Sequence, residues 1–81
     1  MKFRTYYYAM SMADRSEFAK KCGRSKGYFD LVASGHRQVS CEVAIAIERE
    51  SDGLVHCEGL RPDVDWAYIR GTSPTHNQEA A

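Results

Sequence analysis

The chain has no run of about 18 apolar residues, the length a helix needs to cross a bilayer. Its opening, "MKFRTYYYAMSMADR", lacks the apolar core and small-residue cleavage site of a secretory leader. A cytoplasmic protein without membrane attachment is therefore expected. Paired cysteines are lacking too. Cys22, Cys41 and Cys57 are odd in number and show no CxxC spacing, which argues against a disulfide framework and suits a reducing compartment. His36, His56 and His76 add zinc-ligand chemistry without an HxxxH pair, so no metal and no other cofactor is expected. His56 and Cys57 are neighbours in sequence with no identifiable orienting acid, a poor basis for nucleophilic catalysis. No repeat divides the chain. At 81 residues it forms one domain with a modest core, which favours a small binding module over an enzyme with a large cleft.

Net charge is also missing, but only as an average. Residues 1–40 hold eight basic residues against three acidic, a net +5, and residues 41–81 hold three basic against eight acidic, a net −5. The basic half suits a polyanion, while an inert dipolar surface would look the same by charge alone.

What is present is helical punctuation. Phe3, Tyr6, Tyr7 and Met10 fall at helical spacings, and three consecutive tyrosines cannot all face one core, so at least one is partly exposed. Ser11 with Asp14 three positions on forms a capping-box signature that opens a second helix at about residues 14–22, with Phe18, Ala19 and Cys22 inward. Gly23 ends it in a left-handed conformation. Ser25 caps a third helix at about 26–34, with Phe29, Val32 and Ala33 inward and Lys26, Gly27, Asp30 and Ser34 outward; Tyr28 and Leu31 lie on the margins. Gly27 inside a helix costs about 1 kcal/mol relative to alanine, so the cost is tolerated or something approaches the backbone there.

Gly35 stops the third helix and Ser40 caps a fourth at about 41–50. Val43 and Ile47 share one face of it and Ile45 lies opposite, so a second cover is required, from the rest of the chain or from another subunit. Leu54, Val55, Leu60, Val64 and Trp66 can fold back, with a helical turn near 57–60 ended by Pro62. Trp66 is expected on the fourth helix, although "RPDVDW" could also serve as a partner-binding patch. "RGTSPTHNQEAA", residues 70–81, has the composition of a flexible tail, leaving residues 1–69 as the folded domain.

Two short helices joined by a glycine turn, with alanine where the axes approach and apolar residues at the crossing, form a helix-turn-helix. Residues 15–34 fit its twenty-position pattern, with Ala19 fifth, Gly23 ninth, Phe29 fifteenth and Val32 eighteenth. Arg24 at the tenth position and Leu31 at the seventeenth depart from the usual aliphatic and polar residues.

The sequence resembles the Cro/CI-type phage helix-turn-helix repressors, and most closely the YdaS-like branch of small prophage regulators, whose members also carry an antitoxin label. The resemblance covers roughly residues 3–66, through "FAKKCGRSKGYFDLVASGHRQVS", "AIAIERESDGLV" and "LRPDVDW". It implies an all-α, lambda-repressor-like bundle of about five short helices. It also implies a DNA-binding transcriptional repressor that binds a palindromic operator as a dimer through the major groove, in the nucleoid of a bacterial host. The alternative is a protein-interaction module on the same scaffold, an antitoxin or anti-repressor with a toxin as partner.

Carried over by position, Ser25, Lys26, Gly27, Asp30 and Leu31 are candidates to face base edges: lysine donates to guanine, aspartate accepts from cytosine, leucine packs on a thymine methyl. Arg15, Arg24, Arg37 and Gln38 are candidates for phosphate contacts. Lys20 and Lys21 read as an ordinary solvated face. Too weak an interface for a stable free dimer is expected in so small a chain, with dimerisation completed on the double-stranded operator.

Overall fold

Three serines set where the main helices begin. The computed structural model of the chain describes residues 1–71, and in it the hydroxyls of Ser11, Ser25 and Ser40 accept from the amides of Asp14, Tyr28 and Val43 at 3.1, 3.1 and 3.3 Å. Each bond satisfies one of the amides that a helix start leaves without a partner. The helices that result are α2 (Met12–Lys21), α3 (Lys26–Ala33) and α4 (Cys41–Glu50), preceded by α1 (Phe3–Tyr8) and followed by α5 (Cys57–Leu60) and α6 (Trp66–Ile69).

The same three helices end alike. After α2 the amide of Arg24 donates to the Ala19 carbonyl at 2.9 Å and that of Gly23 to Lys20 at 3.0 Å. After α3, His36 donates to Leu31 and Gly35 to Val32; after α4, Gly53 donates to Glu48 and Asp52 to Arg49. This is the paired closure of a Schellman motif, which requires a left-handed residue just past the helix. Gly23 and Gly35 supply it at φ 78° and 84°, whereas at the end of α4 it is Asp52, at φ 54°.

The core is built around α3. Phe29 is fully buried and meets Phe3 edge-on at 5.5 Å and Phe18 at 5.9 Å, while Phe3 stacks on Tyr7 at 5.3 Å. The three tyrosines divide as their spacing requires: Tyr7 is buried, Tyr6 half-buried and Tyr8 exposed. Val43, Ala44, Ala46 and Ile47 bury one side of α4. On its other side Ile45 keeps 44 % of its surface, so the described residues cover that face only in part.

The C-terminal third is fastened by "RPDVDW". Arg61 donates to the Val39 carbonyl at 2.9 Å, just before α4, and forks onto Asp63 with contacts of 3.0 and 2.7 Å. Its own carbonyl accepts from the Trp66 indole at 2.7 Å, and Trp66 is buried in the core with Val55. Leu60 and Val64 pack against that core, while Leu54 stays exposed.

Six helices stand among the described residues where about five were expected, and no strand. The additional one is the four-residue turn α6, started by Asp65 accepting from the Tyr68 amide. Of the expected tail, residues 72–81 lie outside the described residues, and Arg70 is ion-paired to Glu48 and Glu58. Among the described residues no helix is long and apolar enough to cross a membrane.

Candidate nucleic-acid interface

The corner between α2 and α3 is made by local chemistry. The Schellman closure at Gly23 reverses the chain, and Ser25 restarts it three residues before the Tyr28 amide it caps. Ala19, fully buried, lets the two axes approach, and Phe18 and Phe29 fill the crossing. With Phe29 and Ala33 buried behind it, α3 turns Gly27 and Leu31 to solvent, with Ser25 and Ser34 at its two ends.

The five base-edge candidates therefore share one face, but they differ in freedom. Ser25 accepts from its own helix and retains its hydroxyl proton as a donor. Gly27 is open: a methyl group placed there would meet nothing nearer than Ser25 Oγ at 3.9 Å. Leu31 is 46 % exposed, a large apolar side chain in the middle of the face. Lys26 and Asp30 are tied together, Nζ to Oδ2 at 2.8 Å, one helical turn apart. The other carboxylate oxygen of Asp30 accepts from the Tyr7 hydroxyl at 2.6 Å. These donors, first Lys26 and then Tyr7, hold the Asp30 carboxyl below its ordinary range, whereas burial followed by the bond to Asp30 raises the Tyr7 phenol. Asp30 is thus an ionised acceptor already engaged from two sides.

The phosphate candidates also divide. Arg15 donates from Nε to the Tyr7 carbonyl at 3.1 Å and from Nη2 to the Tyr8 carbonyl at 3.2 Å, closing the end of α1, with its guanidinium 5.2 and 5.3 Å from the two tyrosine rings. Arg24 and Arg37 both lie against one ring, Tyr28, at 5.7 and 5.0 Å. Cations are attracted to the electron-rich ring faces, so Tyr28 gathers two guanidinium groups where α3 begins and where the chain leaves it. Gln38 is exposed on the same exit loop. Beside Arg37 a groove of about 1090 Å³ runs over Val32, Val39 and Leu60, with Lys2, Arg4 and Glu58 on its lining.

Tyr28 and Tyr7 support this face, the first through its two arginines and the second through Asp30, beyond what their helical positions in the sequence indicate. The four-residue spacing of Arg24 and Tyr28 was a visible signal for the first. None was visible for the second, whose partner is 23 positions away.

The remaining clusters are spoken for. Glu48, His56 and Glu58 converge as a cation site would, but the Arg70 guanidinium already bridges Glu48 and Glu58 at 2.6 and 2.9 Å. Arg70, and then the Cys57 amide, hold the Glu48 carboxyl down to about 2. Burial pushes the Cys22 and Cys57 thiols up to about 11, so both stay protonated near neutral pH and neither is a ready nucleophile.

The chain is similar in sequence to known proteins over most of its length. The family described as "Bacterial toxin YdaS" matches residues 15–69, which takes in the corner, α4 and the Arg61–Trp66 fastening. The chain is 38 % identical over 73 residues to the "Putative transcriptional regulator YdaS" of Escherichia coli (strain K12), covering 86 % of this chain and 74 % of the relative. It is 30 % identical over 61 residues to a "Prophage transcriptional regulatory protein" of the same organism, covering 75 % of this chain and 92 % of the relative.

Proposed function

The chain belongs to the YdaS family, and from that premise we propose that it is a DNA-binding transcriptional regulator of prophage type, a Cro-like repressor that reads a near-palindromic operator with α3 in the major groove. The observation that carries the reading is the pair of guanidinium groups, Arg24 and Arg37, gathered on Tyr28 beside an outward face bearing Lys26, Gly27 and Leu31. Two cations clustered beside that face suit a contact with the phosphate backbone while the face meets base edges. The protein works by binding and not by catalysis.

One short helix reads only a few base pairs, too few against a genome of competing sites, so two copies act on half-sites about one helical turn apart. The face proposed to join them is α4's uncovered Ile45 with Ile69, which flank a groove of about 410 Å³ floored by Trp66. Assembly is completed on the DNA.

A second reading draws on the exposure of Leu31, a large apolar side chain in the middle of the face. On it, the face of α3 grips a protein, and the chain is an antitoxin or anti-repressor module whose partner is a toxin. One experiment separates the two. Fragmented genomic DNA is titrated at low and high salt, and the preferred fragment is then sedimented with saturating protein. The regulator reading expects a salt-sensitive preference for few fragments and two proteins per duplex. Equal, weak retention of every fragment supports the protein-binding reading, and one protein per duplex removes the dimer.

A further inference from the structure

The lysine at the start of α3 is not a free-swinging cation. Its side chain is 26 % exposed, and its ammonium is drawn along the helix onto Asp30, 2.8 Å away. Asp30 is itself held from behind. The Tyr7 hydroxyl reaches it from α1 at 2.6 Å, and the same hydroxyl lies 3.3 Å from the Lys26 carbonyl. Tyr7 cannot easily move: it is fully buried, stacked on Phe3, and set edge-on to Phe29 at 6.3 Å. Arg15 fastens the backbone of Tyr7 and lies over its ring. Three elements thus converge, through one buried phenol, on the position of one exposed ammonium.

We infer that Tyr7 is a positioning residue for base recognition: through Asp30 it fixes where the Lys26 ammonium stands on the face of α3, and so determines a base preference without touching DNA. The inference rests on the regulator reading above. A lysine left to its rotamers samples several neighbouring acceptors along the groove, whereas one anchored by a carboxylate that is itself anchored presents its remaining protons in fewer directions. The hydrogen bond on the second oxygen of Asp30 also stops that carboxylate from swinging onto a base edge in place of the lysine.

The test uses the full chain and a randomised duplex library, with base preferences recovered for the wild type and for Lys26→Ala, Tyr7→Phe and Asp30→Asn. Lys26→Ala marks the base pair that the lysine reads by flattening the preference there. Tyr7→Phe keeps the ring and removes only the hydroxyl. It is expected to reduce preference at that same base pair by about tenfold, inside the roughly 5- to 150-fold range of one good side chain–base pairing, and to leave the other positions and the salt dependence unchanged. Asp30→Asn is expected to give the same profile, and the double variant no more than either single one. General loosening would erode all positions together, and that outcome, or an unchanged profile, overturns the inference. If Tyr7→Phe does not fold by circular dichroism, the half-buried Asp30→Asn decides alone. A wild type with no preferred site overturns the regulator reading and takes the inference with it. A wild type with a preference that Tyr7→Phe preserves overturns the inference only.

Discussion

Arg15 and Arg37 are both phosphate candidates by position, yet the fold uses them differently, and replacing each by alanine should separate a structural clasp from a DNA contact. Arg37 leans on Tyr28 at 5.0 Å from an exposed loop, and losing that contact costs about 0.5–1 kcal/mol. For a chain this small the melting temperature then falls by a few degrees, at roughly 4–8 °C per kcal/mol. On DNA the loss is electrostatic. Each phosphate contact adds about 0.9 to the slope of log affinity against log salt, so a threefold rise in salt should weaken the Arg37→Ala variant about 2.7-fold less per subunit than the wild type. Arg15 makes two charge-assisted bonds that terminate α1. Losing the part-buried one alone costs about 1.5–3 kcal/mol, or roughly 6–24 °C of melting temperature. Circular dichroism melts and filter-binding isotherms at several salt concentrations read both quantities. An unchanged slope in Arg37→Ala means that Arg37 holds no phosphate. An Arg15→Ala variant that melts like the wild type but loses slope refutes the clasp.

Glu48 gives a prediction in acid: its folded carboxyl is held to about 2 against an ordinary 4.5, so its ionised form favours the fold above pH 4.5 and that contribution is lost as pH falls from 4.5 toward 2. Glu48→Gln should therefore melt lower than the wild type at pH 7 and converge with it near pH 2, and an undiminished gap at pH 2 counts against the Glu48–Arg70 pair. Gly23→Ala tests the corner, since no atom lies within 4 Å of an added methyl and the cost is purely that of φ 78°. It should destabilise by about 1–2 kcal/mol in urea melts, and a variant as stable as the wild type would show that the turn has another conformation.

How much of this was legible depended on distance along the chain. Ser11, Ser25 and Ser40 act on amides three residues away, and Gly23 and Gly35 on carbonyls within a turn, so start and stop chemistry could be read directly. The buried stripe Phe29 and Ala33 followed from the helical period, as did the half-exposed tyrosines. The use of polar side chains did not follow. Asp30 reads as a free acceptor on an outward face because Tyr7 reaches it from another helix. Arg15 is a phosphate candidate by position, and nothing local indicates that it also closes the end of α1. Arg70 sits where the composition suggests a loose tail, yet its carboxylate partner Glu48 is 22 positions earlier. The single turn α6, begun by Asp65, is too short to show a repeating apolar pattern.

Gly27 has a consequence for engineering. Around it, α3 is committed: Phe29 and Ala33 to the core, Tyr28 to its two arginines, Lys26 and Asp30 to each other. Position 27 alone on that face has neither a side chain nor a close neighbour. Alanine introduced there raises helix propensity by about 1 kcal/mol, and its methyl group meets nothing nearer than Ser25 Oγ at 3.9 Å. On the regulator reading, residue 27 is therefore a position where a side chain can be added to the face of α3, and a library confined to it tests whether the helix can be retargeted.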